Sequence, residues 1–253
     1  MKRDLDAAAR VQKQLLPTDL PDMPGVNFAW VYRPCDELAG DSLNVFQIDS
    51  EHVGLYVLDV SGHGVPSSLL SVTATRSLSG HAGVFSFATM SGATLNDMNP
   101  ANVAESLNAL YPMESNGGHY FTLVYGILNT TTREFRYTCA GHPGPVLSRP
   151  GEPASAMDIP AVPIGVLDEE AVYEDRVITL QPGDRIYIHS DGLNEEMNAE
   201  HEEFSRERLR DTIDAHRDIP LEESVESVVA QVIEWAHDEH LSDDVSILAM
   251  EIT

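Results

Sequence analysis

The stretch LYVLDVSGHG, residues 55–64, joins an apolar run to a turn of small polar residues. Leu55 to Leu58 is typical of a buried β-strand, and Asp59 stands at its end. The small residues from Ser61 to Gly64 allow backbone groups to approach a ligand closely. From Val65 to Leu78 the apolar spacing becomes helical. This segment therefore predicts a strand, a tight turn and a helix, with a carboxylate at the junction.

Three further acidic motifs stand next to glycine or serine and border predicted strands: Gly40-Asp41, Ser190-Asp191-Gly192 and Ser242-Asp243-Asp244. Alone, the Asp59 motif is equally typical of an Asp N-cap or a turn, Asp191-Gly192 is common in simple turns, and Asp243-Asp244 is also typical of a solvated strand start. Four such motifs at strand edges favour a common oxygen-ligand site, which suits Mg²⁺ or Mn²⁺ better than Zn²⁺. Paired divalent ions of this kind most often carry out phosphoryl chemistry.

Composition limits the classes of partner and compartment. The 253 residues allow one large domain, or one domain with a short extension. The net charge of −26, from 15 basic and 41 acidic residues, disfavours a nucleic-acid partner because the protein's field repels phosphates. Cys35 and Cys139 match no metal-ligand spacing, which indicates free thiols in a reducing compartment. No apolar stretch suits a membrane span or a signal peptide, so we expect a cytoplasmic chain without membrane contact.

The remaining periodicity predicts many strands in meander order, with helices in pairs. Strands are predicted at 26–32, 45–48, 53–60, 120–128, 134–139, 145–147, 173–180, 185–189 and 245–252. Helices are predicted at 4–16, 65–78, 101–110, 205–215 and 221–239. Residues 81–99 show no clear period, and an ordinary insertion is slightly favoured over a flap above a site. This order does not fit alternating βαβ units; it favours an α+β fold of two antiparallel sheets flanked by helices.

The sequence does not indicate a covalent nucleophile. It contains neither a Gly-x-Ser-x-Gly elbow nor a glycine-rich phosphate loop ending in Lys-Ser/Thr. Neither His63 nor His142 has a second histidine at zinc-ligand spacing, so both are interpreted as structural hydrogen-bonding residues. The attacking group would then be a water activated by metal.

The ordered set of motifs resembles the SpoIIE-like (RsbU-type) branch of the PPM metal-dependent serine/threonine protein phosphatases. The matching text covers nearly the whole chain: Ala9-Arg10-Val11-Gln12, Leu15-Leu16-Pro17, Ala39-Gly40-Asp41, Asp59-Val60-Ser61-Gly62-His63-Gly64, Ala140-Gly141-His142-Pro143, Ser190-Asp191-Gly192-Leu193-Asn194-Glu195 and Asp243-Asp244-Val245-Ser246. No single motif would suffice, but the ordered set is specific.

The resemblance implies a four-layer α/β/β/α sandwich that holds two Mn²⁺ or Mg²⁺ ions. By carry-over, Asp59 would bridge the metals with the Val60 carbonyl nearby, and Asp191 and Asp243 would bind one metal. Asp41 would bind directly or through water. In this family a bridging water attacks phosphoserine or phosphothreonine in line, so Asp59 and Asp191 would be catalytic through the metal-bound water.

The resemblance also implies domains and partners. Residues 1–20 resemble a helical linker that follows an upstream sensor or receiver domain, and residues 21–253 resemble the phosphatase domain. In the family, that linker often mediates homodimers and switches activity. The usual substrate is a phosphorylated anti-sigma-factor antagonist in a bacterial partner-switching pathway.

Some residues depart from the family pattern. Asn44 replaces a second carboxylate after Asp41, which puts a third, weaker metal contact or a structural hydrogen bond in doubt. No arginine stands where some relatives clamp the phosphate. In the last motif Asp243 is favoured over Asp244 as the ligand, because the following Val245-Ser246 aligns best that way. Two alternatives stay open: a non-catalytic adaptor module, and a phosphohydrolase of small molecules.

Overall fold

Two antiparallel five-stranded sheets form the centre of the molecule. The structure is a computed structural model that describes residues 2–78, 99–167, 171–237 and 240–253. The first sheet has the order β1 (Val26–Arg33), β10 (Val245–Ile252), β9 (Arg185–His189), β6 (Val146–Ser148), β7 (Ser155–Ala156). The second has the order β2 (Ser42–Gln47), β3 (His52–Val60), β4 (Phe121–Asn129), β5 (Glu134–Ala140), β8 (Arg176–Thr179).

Helices lie on the outer faces of this sandwich. Among the residues that the structure describes, the helices are α1 (Lys2–Lys13), α2 (Val65–Leu78), α3 (Pro100–Leu110), α4 (Gly192–Glu195), α5 (Ser205–Ala215) and α6 (Leu221–Ala236), with a 3₁₀ turn at Met113–Asn116. Within the four described ranges, no helix is both long and apolar enough to pass through a lipid bilayer.

Three apolar clusters hold the layers together. Between the sheets, Val57 and Val124 pack with Leu248, and none of them is more than 1% exposed. A second cluster joins α5 and α6 to the outer face of the first sheet, and a third joins α2 and α3 to the outer face of the second. Burial of both faces of each sheet explains the long apolar runs of its central strands. The predicted α+β class with four layers, α/β/β/α, is therefore confirmed.

Element types were predicted better than their ends. The strand predicted at 173–180 is confined to Arg176–Thr179, because only four of its residues pair with β5. The helix predicted at 221–239 ends at Ala236, because His237 takes the left-handed conformation with a φ of 54°. Strand β7 and helix α4 were not predicted, since two and four residues are too few to show a period. Of the segment 81–99, all but Asn99 lies outside the described residues.

The N-terminal helix contacts the sandwich through the buried side chain of Gln12. Gln12 is buried, its Nε2 donates to the Ala39 carbonyl at 2.6 Å, and its Oε1 accepts from the Ala39 N–H at 3.2 Å. Leu16, just beyond the helix, packs against the cluster between the sheets. Residues 2–16 therefore contact the rest of the chain, while a domain boundary at residue 20 stays a prediction.

Candidate metal centre

Asp59 lies at one end of the sandwich, where β3 leads into α2. It is the penultimate residue of β3 and pairs with Thr122 of β4. Gly62 and Gly64 have φ angles of +80° and +86°, a conformation that favours glycine, and they turn the chain from the strand into the helix. The turn leaves the Asp59 side chain facing a surface cavity instead of the core.

That cavity has a volume of about 560 Å³ and collects most of the predicted ligands. Asp59 and Val60 come from β3, Asp191 from the end of β9, and Asp243 from the loop before β10. Cys35, Tyr120, Thr122 and His240 are among the other residues that line it. Segments far apart in sequence thus bring three carboxylates to one cavity.

Asp41 lies behind the cavity wall instead of on its surface. It is only 2% exposed, and its Oδ2 accepts a hydrogen bond of 2.6 Å from Ser246 Oγ. Burial and the neighbouring charge of Asp59 raise the pKa of Asp41 well above its usual range. Asp41 is therefore next to Asp59, held in place by the first residues of β10.

The two adjacent aspartates before β10 have separate environments. Asp244 is buried, its Oδ1 accepts from the Cys35 N–H at 2.9 Å, and its Oδ2 accepts from the Gly40 N–H at 2.7 Å. Both of its oxygens thus hold the loop after β1. Asp243 is exposed to the cavity, and its Oδ1 accepts from the Asp244 N–H at 2.8 Å. This geometry favours Asp243 as the ligand.

Burial, together with repulsion between neighbouring carboxylates, disfavours ionisation of the aspartates at this end of the sandwich. Burial, followed by repulsion from Asp191 and Asp243, raises the pKa of Asp59 to about 8. The pKa values of Asp191 and Asp243 are also raised, in each case mainly by burial. Buried like charges are costly unless a cation compensates them. This all-oxygen donor set therefore fits hard divalent cations such as Mn²⁺ and Mg²⁺.

A family model described as Stage II sporulation protein E (SpoIIE) matches residues 49–253, which include Asp59, Asp191 and Asp243 but not Asp41. The chain belongs to the SpoIIE family. The resemblance drawn from the ordered motifs is thereby confirmed.

Two relatives of this SpoIIE-family chain share only about a quarter of its residues. It is 23% identical over 255 aligned positions to phosphoserine phosphatase RsbP of Bacillus subtilis, covering 99% of this chain and 58% of RsbP. It is 24% identical over 251 positions to phosphoserine phosphatase RsbU of the same organism, covering 99% of this chain and 70% of RsbU. The chain thus spans little more than half the length of RsbP.

The fold matches a solved phosphatase domain closely. The SiaA-PP2C domain of Pseudomonas aeruginosa superposes with a TM-score of 0.82 at 21% identity, covering 100% of this chain and 96% of that one. At this identity the match establishes a shared PP2C fold.

Two glycines in the acidic motifs lie so close to backbone carbonyl groups that a larger residue would not fit. A Cβ on Gly192 would overlap the Asp244 carbonyl oxygen. A Cβ on Gly40 would lie 2.8 Å from the Val60 carbonyl oxygen. Both positions therefore set the distance between acidic loops, whereas the sequence pattern had indicated close backbone approach only for the small residues after Asp59, and there toward a ligand.

The histidines and Asn44 differ from each other in environment. His142 is buried and hydrogen-bonded, as expected of a structural residue. His63 was expected to be similar, but its ring is 80% exposed at the cavity, with Nδ1 3.9 Å from Asp36 Oδ2. This expectation was wrong because the turn projects His63 outward.

Asn44, which stands where the family has a second carboxylate, has a local structural role: its Oδ1 accepts from the Val45 N–H at 2.8 Å.

Cys35 and Thr122 are among the cavity residues that sequence reasoning missed. The Cys35 thiol lies within 4.8 Å of carboxylate oxygens of Asp243 and Asp244, although its spacing in sequence matches no metal motif. Thr122 faces the cavity because it is the cross-strand partner of Asp59. The register of the β3–β4 pair was the signal for Thr122, and the sequence patterns alone do not define that register.

The two aspartates before β10 allow a matched pair of substitutions. We expect Asp243→Asn to weaken Mn²⁺ binding at least about tenfold with little change in the free energy of unfolding, because its oxygens mainly face the cavity. We expect Asp244→Asn to lower the free energy of unfolding by about 1–3 kcal/mol, because an NH₂ group replaces one of the two oxygens and cannot accept a hydrogen bond from the backbone N–H that faces it. Calorimetric titration and urea unfolding in EDTA measure the two effects, and the reverse pattern would contradict the assignment.

Proposed function

We propose that this chain is a metal-dependent protein phosphatase that hydrolyses phosphoserine or phosphothreonine on a partner protein. The observation that carries the proposal is the convergence of Asp59, Asp191 and Asp243 on one cavity, with Asp41 directly behind them. This arrangement occurs in a SpoIIE-family chain with a PP2C fold.

Two Mn²⁺ or Mg²⁺ ions are the proposed cofactors. The carboxylates of Asp59, Asp191, Asp243 and Asp41 and the Val60 carbonyl would hold these ions. When bound, such ions polarise phosphoryl oxygens and lower the pKa of coordinated water, which supplies a nucleophile at neutral pH.

The contribution of the chain's own residues is to hold this donor set rigid. Ser246 orients Asp41 by donating to its carboxylate, and Ser190 Oγ accepts from the Ser246 N–H at 2.9 Å. Asp244 fixes the loop after β1. Asp59 and Asp191 are the proposed catalytic residues, because Asp59 at the end of β3 and Asp191 just after β9 of the other sheet line the same cavity. Ligand oxygens that are already in place before the metal and substrate bind reduce the reorganisation needed during the reaction.

The names of RsbP and RsbU support a phosphoserine substrate. We propose a phosphorylated anti-sigma-factor antagonist as the partner protein, with residues 1–20 as a linker from an upstream sensor or receiver domain that also mediates homodimers. The unpaired Cys35 and Cys139 support a cytoplasmic location.

The proposal is tested by phosphate release from a panel of candidate antagonist proteins, each phosphorylated on serine. We expect turnover with Mn²⁺ or Mg²⁺, none in EDTA, and only slow release from p-nitrophenyl phosphate. Calorimetric Mn²⁺ binding without turnover of any phosphoprotein would favour the adaptor alternative. Faster turnover of free phosphomonoesters than of the phosphoprotein would favour a small-molecule phosphohydrolase.

Metal binding should depend on pH. Because the metal-free pKa of Asp59 is raised to about 8, its carboxyl holds a proton below that pH, and a cation must displace this proton. We expect Mg²⁺ affinity to fall as pH falls from 8 to 6, by up to about tenfold per pH unit for each proton displaced. Titration calorimetry in two buffers of different ionisation enthalpy measures the proton release. Equal affinities at pH 6 and pH 8 would contradict this prediction.

A further inference from the structure

A short hydrogen-bond chain leads from the cavity wall into the core. Thr122 Oγ1 lies 2.6 Å from His142 Nδ1, and His142 Nε2 lies 2.9 Å from the His189 carbonyl oxygen. Thr122 belongs to β4 of the second sheet, and His189 ends β9 of the first. His142, which is 6% exposed, therefore connects the two sheets at the end that holds the cavity.

The partners of the ring decide where each proton lies. A carbonyl oxygen can only accept, so the proton of His142 is on Nε2 and is donated to His189. Burial lowers the pKa of His142 to about 3, so the ring is neutral and Nδ1 keeps its lone pair. The hydrogen bond at Nδ1 must then use the hydroxyl proton of Thr122.

The direction of this bond matters because Thr122 also lines the acidic cavity. A hydroxyl has one proton, and Thr122 donates its proton to His142, so only lone pairs remain for the cavity. Without His142 the hydroxyl could rotate and donate to Asp59, its cross-strand partner. Such a bond would occupy a carboxylate lone pair that a cation requires.

We propose that His142 is a positioning residue that keeps Thr122 Oγ1 as a pure hydrogen-bond acceptor toward the cavity, where it accepts from water in the hydration shell of a divalent cation. The presence of a cation in the cavity is part of the proposed function, and this inference rests on it. The direction of the hydrogen bonds does not depend on that function. His142 thereby leaves Asp59 free for the cation and places an acceptor beside it.

The tautomer is tested directly by ¹⁵N NMR of the full chain, metal-free and with Mg²⁺, with the His142 signal assigned by its loss in His142→Gln. We expect a neutral ring protonated at Nε2 between pH 6 and pH 8 in both states. A ring protonated at Nδ1, or at both nitrogens, would overturn the proposal, because Thr122 would then be free to donate.

The consequence for metal binding is tested by Mn²⁺ titration calorimetry on matched variants. His142→Asn retains an acceptor near the Nδ1 position, whereas His142→Gln retains only a donor near the Nε2 position. We expect His142→Gln and Thr122→Val each to weaken Mn²⁺ binding about tenfold, while His142→Asn stays close to the wild type. In the Thr122→Val background, His142→Gln should add nothing further.

Equal losses in His142→Asn and His142→Gln, or additive losses in the double variant, would assign His142 a merely structural role and overturn the proposal. Thermal melts in EDTA show which variants fold. If the His142 variants fail to fold, Thr122→Ser against Thr122→Val decides: Ser should keep wild-type affinity, and unchanged affinity in Val would overturn the proposal.

Failure of this inference can be told apart from failure of the proposed function. Mn²⁺ binding with the predicted coupling but without hydrolysis of phosphoproteins would remove the phosphatase proposal and leave the positioning role intact. Hydrolysis without coupling between His142 and Thr122 would do the opposite. A wild-type chain that binds no Mn²⁺ would contradict both.

Discussion

Asp59→Asn should reduce metal-dependent dephosphorylation about a thousandfold or more, which is about 4 kcal/mol of transition-state stabilisation. Asn keeps the shape of the side chain but removes the charge and one acceptor oxygen. Asp59 is next to Asp41 and shares the cavity with Asp191 and Asp243, so its carboxylate is central to the proposed ligand set. Steady-state phosphate release with Mn²⁺, together with Mn²⁺ titration calorimetry, measures the loss.

The same substitution should stabilise the metal-free protein. The pKa of Asp59 is raised to about 8 in the folded state, so the folded protein loses stability as pH rises from about 4 toward 8. Asn removes this cost, and thermal melts in EDTA at pH 8 should show a higher Tm than the wild type. Loss of activity with a gain in stability separates a functional carboxylate from a damaged fold.

The matched control is Asp218→Asn, which changes an exposed carboxylate in the segment between α5 and α6. It should alter neither turnover nor Tm by more than experimental error, because exposed single charges contribute little. Wild-type turnover in Asp59→Asn would overturn the assignment of the metal centre.

Gly192→Ala should have the second-largest effect. The added methyl group would overlap the Asp244 carbonyl oxygen and approach Asp243 Cβ at 3.5 Å. The loops that carry Asp191 and Asp243 must then separate. We expect Mn²⁺ affinity to fall at least about tenfold, and the free energy of unfolding to fall by about 1–3 kcal/mol. Calorimetric titration and urea unfolding measure these two changes.

Gly117→Ala is the control for the added methyl group. Gly117 has a φ of +66°, and a Cβ there would meet no atom within 4 Å. Alanine should therefore cost only about 1–2 kcal/mol of backbone strain and leave Mn²⁺ affinity unchanged. If both alanine variants bound Mn²⁺ as the wild type does, close approach at Gly192 would have no part in forming the site.

Much of the fold could be predicted because its signals are local. The apolar run before Asp59, the helical spacing after Gly64 and the last strand from Val245 each reflect burial on a face of known period. Element ends were less accurate, because pairing along β5 and the left-handed conformation of His237 depend on neighbours outside the local pattern. Strand β7 could not be predicted, since two residues show no alternation.

The candidate site also has features that the sequence predicts and features that depend on tertiary contacts. Residue type and motif order identified the acidic residues, because hard cations require oxygen ligands wherever the chain runs. The separate environments of Asp243 and Asp244 depend on which carboxylate meets the N–H groups of Cys35 and Gly40. Those contacts span more than 200 residues and exist only after the two sheets have packed.

Composition, periodicity and motif order are properties of the chain alone, and they were enough to predict the class of chemistry, the family and the four-layer fold. Packing of the two sheets sets which carboxylates face the cavity, which glycines separate the acidic loops, and which way the Thr122 hydroxyl points. The physical reason is that hydrogen-bond direction and close contact depend on strand register and sheet packing. Asp59 could therefore be identified from LYVLDVSGHG. The proposed roles of Thr122 and His142 depend on the pairing of β3 with β4 and on a hydrogen bond between the two side chains, which form only in the folded protein.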